Sequence, residues 1–123
     1  MTKEVLKERF KQYAISVARF VLKLPYNVVN KNYADQLNRS ASSAAANYRA
    51  SLRAKSTADF IYKFKIVEEE LDESLFFFEL VEIINPDFKS EIKKLYKEGN
   101  ELLSIIVRSL ITLRTKETKN RKY

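Results

Sequence analysis

A single glycine, Gly99, and two prolines, Pro25 and Pro86, punctuate 123 residues. Sheet proteins need frequent turns, and turns draw on glycine and proline above all. This chain cannot supply many. Its composition suits a few long helices joined by short loops. With 46% apolar residues, a chain of this length can bury about two-thirds of its unfolded surface in one core. The expectation is one all-α domain over residues 1–123. Its architecture is an antiparallel, up-and-down four-helix bundle.

The apolar spacing places the helices at about 4–24, 33–52, 57–84 and 87–116. In the first, Phe10, Ala14, Val17, Val21 and Leu24 recur at three- and four-residue steps. Pro25, Asn27 and Asn30 end it, leaving residues 25–32 as a loop. The second carries Leu37, Ala41, Ala44, Tyr48 and Leu52. Its middle, Ser40 to Ala46, is only serine and alanine. Such a segment is expected to be buried or to face a neighbour, against the alternative of an exposed alanine-rich helix. Ser56 or Thr57 can cap the third helix, and Ser56 with Asp59 resembles a capping box. Asn85 can cap the fourth, with Pro86 at its first position. Phe88, Ile92, Leu95, Tyr96, Leu102, Leu103, Ile106, Leu110 and Leu113 give that helix one broad apolar face. Gly99 costs roughly 1 kcal/mol there against alanine, or marks a close contact. The charged tail, Lys116 to Tyr123, is expected to fray.

The third helix points beyond a single chain. At about 100° per residue, Phe60, Phe64, Val67, Leu71, Leu75 and Phe78 share one face. After Ser74 the opposite face turns apolar too, with Phe76, Leu80 and Ile83, while Phe77 and Ile84 lie between. A helix end that is apolar nearly all round needs cover on every side. A homo-oligomer using Phe76, Phe77 and Leu80 is expected. The alternative is cover by the chain's own loops or tail.

Chemistry is scarce. The chain has no cysteine and no histidine, which removes disulfides, thiolate metal sites and the commonest general base. A reducing cytoplasm is the expected compartment. No signal peptide or membrane span is legible. Glu68, Glu69, Glu70, Asp72 and Glu73 form an acidic run, with Glu69 and Glu73 one turn apart. Such a pair can hold a divalent metal or share a proton. The plainer reading is a solvated face paired with lysines. Ser40, Ser42 and Ser43 have no histidine to activate them. No catalytic residue, metal site or cofactor is expected.

Net charge is +7, which favours anionic partners, although solubility alone explains such a value. Residues 31–65 sum to +5 and residues 66–87 to −8. Arg39, Arg49 and Arg53 share one side of the second helix, Lys55 follows, and Lys63 and Lys65 begin the third. Arginine's planar fork suits phosphate. Arg39, Arg49, Arg53, Lys55 and Lys63 are therefore candidate contacts to RNA or DNA. Alternatively, the arginines pair with the acidic run.

The stretch Gln36-Leu37-Asn38-Arg39-Ser40-Ala41-Ser42-Ser43-Ala44-Ala45-Ala46-Asn47-Tyr48-Arg49-Ala50 resembles the signature helix of the bacterial four helix bundle proteins. These are also called 23S ribosomal RNA intervening-sequence proteins. Residues Ala58 to Ser74 resemble their second signature, and the similarity spans about residues 9–114. Leu71 stands where the family usually has alanine. Phe76-Phe77-Phe78 replaces a more usual aromatic-Trp-Leu pattern. The resemblance implies an up-and-down bundle assembled as a homopentameric ring. Some members are encoded within insertions in the large ribosomal RNA gene, and no biochemical activity is established for them. A similar accessory protein of diversity-generating retroelements is a basic pentamer that binds nucleic acid and a reverse transcriptase. By position, Arg39, Asn47, Arg49 and Glu69 would be motif residues.

The sequence thus predicts a non-enzymatic, oligomeric, basic bundle that binds nucleic acid or a nucleoprotein partner, such as a nucleic-acid enzyme. The alternatives are a protein-binding scaffold and an RNA-processing enzyme using the acidic run.

Overall fold

The computed structural model describes residues 1–121. The α-helices are α1 (Lys3–Val21), α2 (Val28–Ser51), α3 (Thr57–Ile84) and α4 (Lys89–Arg121), with one 3-10 turn, Pro86–Phe88, between the last two. Among the described residues there is no strand.

Local chemistry sets each boundary. Thr2 caps α1, its Oγ1 accepting from the Val5 N–H at 3.1 Å. The helix was expected to reach Leu24 but ends at Val21. The N–H groups of Lys23 and Leu24 bond three residues back instead of four, because Pro25 disfavours α geometry just before it. The start of α2 is a larger correction. Asn27 is its N-cap, with Oδ1 accepting from the Asn30 N–H at 2.8 Å. Residues 28–32 are therefore helical, not loop. Helix α3 has the expected bounds. Ser56 Oγ accepts from the Asp59 N–H, but the Asp59 carboxylate accepts from the Lys55 N–H at 3.1 Å. The capping box is thus one residue wider than the usual pattern.

Asn85 does not cap the helix that follows it. Its side chain turns to α2 and exchanges amide hydrogen bonds with Asn30. Asn30 Nδ2 donates to Asn85 Oδ1 at 3.0 Å, and Asn85 Nδ2 donates to Asn30 Oδ1 at 2.9 Å. Asn30 also donates to the Pro25 carbonyl, and Asn85 to that of Val81. Both side chains are buried. The chain then makes its 3-10 turn, and α4 starts at Lys89 rather than 87. That helix continues beyond 116 to Arg121. The last two residues of the expected frayed tail lie outside the described residues.

Cross-helix pairs show the topology. Asn30 meets Asn85, Arg39 meets Glu70, and Tyr48 meets Phe64. One chain position rises as the other falls, so α2 and α3 are antiparallel. Tyr96 with Glu79 joins α4 to α3, and Arg9 with Glu98 and Lys23 with Glu91 join α1 to α4. The helices thus run up and down around a square, with α1 diagonal to α3.

The expected apolar stripes of α2, α3 and α4 face the interior. The α1 stripe is rotated from the expected one. Leu6, Phe10, Tyr13, Val17 and Phe20 are buried, while Ala14, Val21 and Leu24 are half-buried. Both stripes have helical spacing, and the one with more aromatic area to hide wins. Phe10 stacks on Tyr48 at 4.6 Å between centroids, and Phe20 meets Phe78 at 5.8 Å. The serine–alanine segment divides. Ser40, Ala41 and Ala44 are buried, whereas Ser42 and Ala46 are exposed.

Tyr13 crosses the core from α1 to its diagonal partner. Its hydroxyl lies 2.9 Å from Ser74 Oγ. Ser74 already donates to the Leu71 carbonyl, so the tyrosine is the donor. Burial pushes the phenol up to about 12. Gly99 makes room for it. A Cβ at 99 would stand 2.6 Å from Tyr13 Oη and 3.0 Å from Leu75 Cδ2. Gly99→Ala is expected to lower stability by about 1–3 kcal/mol in urea titration, because overpacking outweighs alanine's helix advantage of roughly 1 kcal/mol. The phenol gives a second expectation. The folded chain keeps a proton that the unfolded chain releases near pH 10. The resulting stability is complete below pH 10 and is lost as pH rises through about 12. Urea midpoints measured across that range should fall in wild type and fall less in Tyr13→Phe.

Candidate nucleic-acid interface and assembly face

The five candidate cations do not form one strip. Arg39 is occupied by acids of its own chain. Nη1 donates to Glu70 at 2.9 Å, Nη2 donates to Glu73, and Nε donates to Gln36. Those carboxylates hold the guanidinium's pKa above its usual value, with the Glu73 hydrogen bond the largest cause. Lys63 pairs with Asp59 one turn back at 2.8 Å. That contact, with the Lys55 N–H, holds the Asp59 carboxyl below its usual range. For Arg39 the pairing alternative therefore holds. Arg49, Arg53 and Lys55 are exposed, and their side chains make no ion pair among the described residues.

Antiparallel packing brings other cations beside these three. The start of α1, the end of α2, the start of α3 and the end of α4 share one end of the bundle. A concavity of about 340 Å³ there is lined by Lys3, Leu52, Ser56, Thr57, Phe60 and Leu113, so all four helices meet around it. Lys7 and Lys11 join Arg49 along a wider groove between α1 and α2. Residues 1–12, 43–65 and 105–116 carry a net +9, and residues 13–42 and 66–104 a net −4. Charge sums taken along the chain missed this, because cations distant in sequence converge only once the helix directions are known.

The acidic run divides between Arg39 and solvent. Glu70 and Glu73 hold Arg39, while Glu69 and Asp72 are exposed. Among the described residues, no three acidic side chains come together in a way that could hold a metal ion.

The fold is similar to the crystal structure of a protein of unknown function from the S23 ribosomal protein family of Bacteroides thetaiotaomicron. The TM-score is 0.77 at 23% identity, over 89% of this chain and 98% of that one. At such identity the likeness is one of fold. No family model matches the sequence, and no curated protein does. Among the described residues no helix is long and apolar enough to cross a membrane.

The expected assembly face is only partly open. Phe76 is 52% exposed. Leu80 is half-buried. Phe77 turns sideways onto Tyr33 of α2, with centroids 5.9 Å apart. Ile83 is more open than any of these, at 77%. Phe76, Leu80 and Ile83, spaced four and three apart, line the outer face of α3.

Arg39→Ala separates the two roles of the arginines. Its ion pairs are solvent-facing, and such pairs contribute about 0.2–1 kcal/mol each. Urea titration should show a loss of that order. Affinity for a single-stranded RNA, read by fluorescence anisotropy, should stay within about twofold of wild type, since one phosphate-directed cation is not being removed.

Proposed function

We propose that this chain is a non-enzymatic, self-associating helical bundle that binds nucleic acid, free or within a nucleoprotein, at its basic end. The observation that carries this reading is the convergence of cations from separate helices on one end, where Arg53 and Lys55 make no ion pair among the described residues. Four exposed cations at that end, Arg53, Lys55, Lys3 and Lys116, would face the phosphates of a backbone laid across it. Arg49, one turn before Arg53, extends the track along α2. Phosphate contacts of this kind carry affinity without sequence preference. Several copies in one assembly would multiply weak single-chain contacts.

The likeness to a member of a family named for a ribosomal protein supports RNA over DNA as the first ligand to test. The resemblance to the intervening-sequence proteins supports a ring of five copies and a nucleic-acid enzyme among the partners, and the lack of cysteine supports a cytoplasmic setting. With no histidine or cysteine, and with Glu70 and Glu73 committed to Arg39, the residues favour binding over catalysis. The exposed Phe76 and Ile83 favour a second reading, in which the chain is a protein scaffold only.

Anisotropy of a labelled single-stranded RNA tests the proposal. Four phosphate contacts on a single strand imply about a fiftyfold loss of affinity between 50 and 200 mM salt. The double variant Arg53→Glu/Lys55→Glu should bind at least about tenfold more weakly and with a shallower salt slope. A wild-type protein that binds neither RNA nor DNA at 50 mM salt would leave the scaffold reading in its place.

A further inference from the structure

Two surfaces of the molecule, an apolar ridge and an apolar-floored groove, face different ways. One is the ridge of Phe76, Leu80 and Ile83 on the outer face of α3. Its neighbours α2 and α4 leave it in solvent, and α1 lies diagonally across the core, so the chain cannot cover it with its own first helix. The other is the groove between α1 and α2, about 540 Å³ in volume. Its apolar floor is Ala14, Ile15, Ala45 and Ala46. Short side chains there leave space that the chain itself does not fill, and bulky side chains from outside can enter it.

Charge matches the two surfaces as well. The ridge belongs to a stretch, residues 66–87, of net −8, and exposed Glu69 and Asp72 precede Phe76 by two turns and one turn. The groove is rimmed by Lys7, Lys11 and Arg49 against Glu4 and Glu8. Glu8 already accepts from Gln12 at 3.0 Å. Three cations against two acids leave the groove's own lining at net +1. Ridge packed on ridge would set acid against acid, which costs affinity. Ridge packed in groove sets acid against base and hides both apolar surfaces.

We propose that the α3 ridge of one copy seats in the α1/α2 groove of a second copy, Phe76 and Ile83 entering over Ala14, Ile15 and Ala46. This rests on the self-association part of the proposed function and not on nucleic-acid binding. Because the joined patches differ, the contact is head-to-tail. Each added copy presents a fresh ridge and a fresh groove, and growth stops only where rotation closes a ring.

A complementation experiment tests the seating. Phe76→Asp spoils the ridge and keeps the groove. Ala46→Trp fills the groove and keeps the ridge. By light scattering at micromolar concentration, wild type is expected to be a multimer, and each variant alone to have the 14.4 kDa mass of one chain. An equimolar mixture is expected to give dimers and nothing larger, since one good ridge meets one good groove. Ile83→Asp and Ser42→Trp, both at exposed positions, repeat the test should either first variant lose its helical circular dichroism. The idea is overturned if Ala46→Trp assembles as wild type does, if the mixture stays monomeric, or if wild type is itself a monomer. RNA anisotropy on the same samples separates this failure from that of the nucleic-acid reading, because a monomer that binds RNA sinks only the seating.

Discussion

The exchange of amide hydrogen bonds between Asn30 and Asn85 holds the rest of the bundle in register. Each side chain is buried, and each amide both donates to and accepts from the other. A buried amide left without its partner costs about 1–3 kcal/mol, so sliding α2 along α3 by a single residue is penalised twice. The apolar contacts alone are more tolerant, because leucine and alanine pack acceptably in several registers. With the pair made, Arg39 lands between Glu70 and Glu73, Tyr48 lands on Phe64, and Phe77 lands on Tyr33. What remains of the outer face of α3 is then fixed. Phe76 and Ile83 are left in solvent because the residues beside them are already used.

Much of this was legible in the chain. The stripes on α2, α3 and α4 follow one period over many turns, and the bounds of α3 follow from Ser56 and the Asn85–Pro86 stop. The misreadings have local causes. Val28 and Val29 are exposed at the start of α2 and carry no periodic signal, so the helix announced itself only from Tyr33. Ala14 and Tyr13 offer α1 two stripes of equal spacing, and only packing against Tyr48 and Ser74 decides between them. The role of Asn85 depends on a partner 55 residues away. No nearby pattern encodes such a contact, while a cap is the nearby pattern that such a residue usually makes.

The candidate site was half legible for a similar reason. A cation's worth to a phosphate depends on whether an acid reaches it first. Arg39 and Arg53 look alike in sequence, yet the α2–α3 register gives one of them two carboxylates and leaves the other exposed. The basic end itself is a product of alternation. Four helices running up and down gather residues 3, 53, 55 and 116 at one end, and the acids of α3 are carried toward the other.

Tyr13 and Gly99 carry a historical consequence. The phenol occupies the volume that a methyl group at 99 would need, so the two positions are not free to change separately. A descendant that gave up the phenol would gain the option of alanine at 99, and with it the helix propensity that glycine forgoes. One that kept the phenol would be bound to glycine. Across a set of relatives, the missing side chain and the tyrosine should be inherited together, as one trait written at two places in the gene.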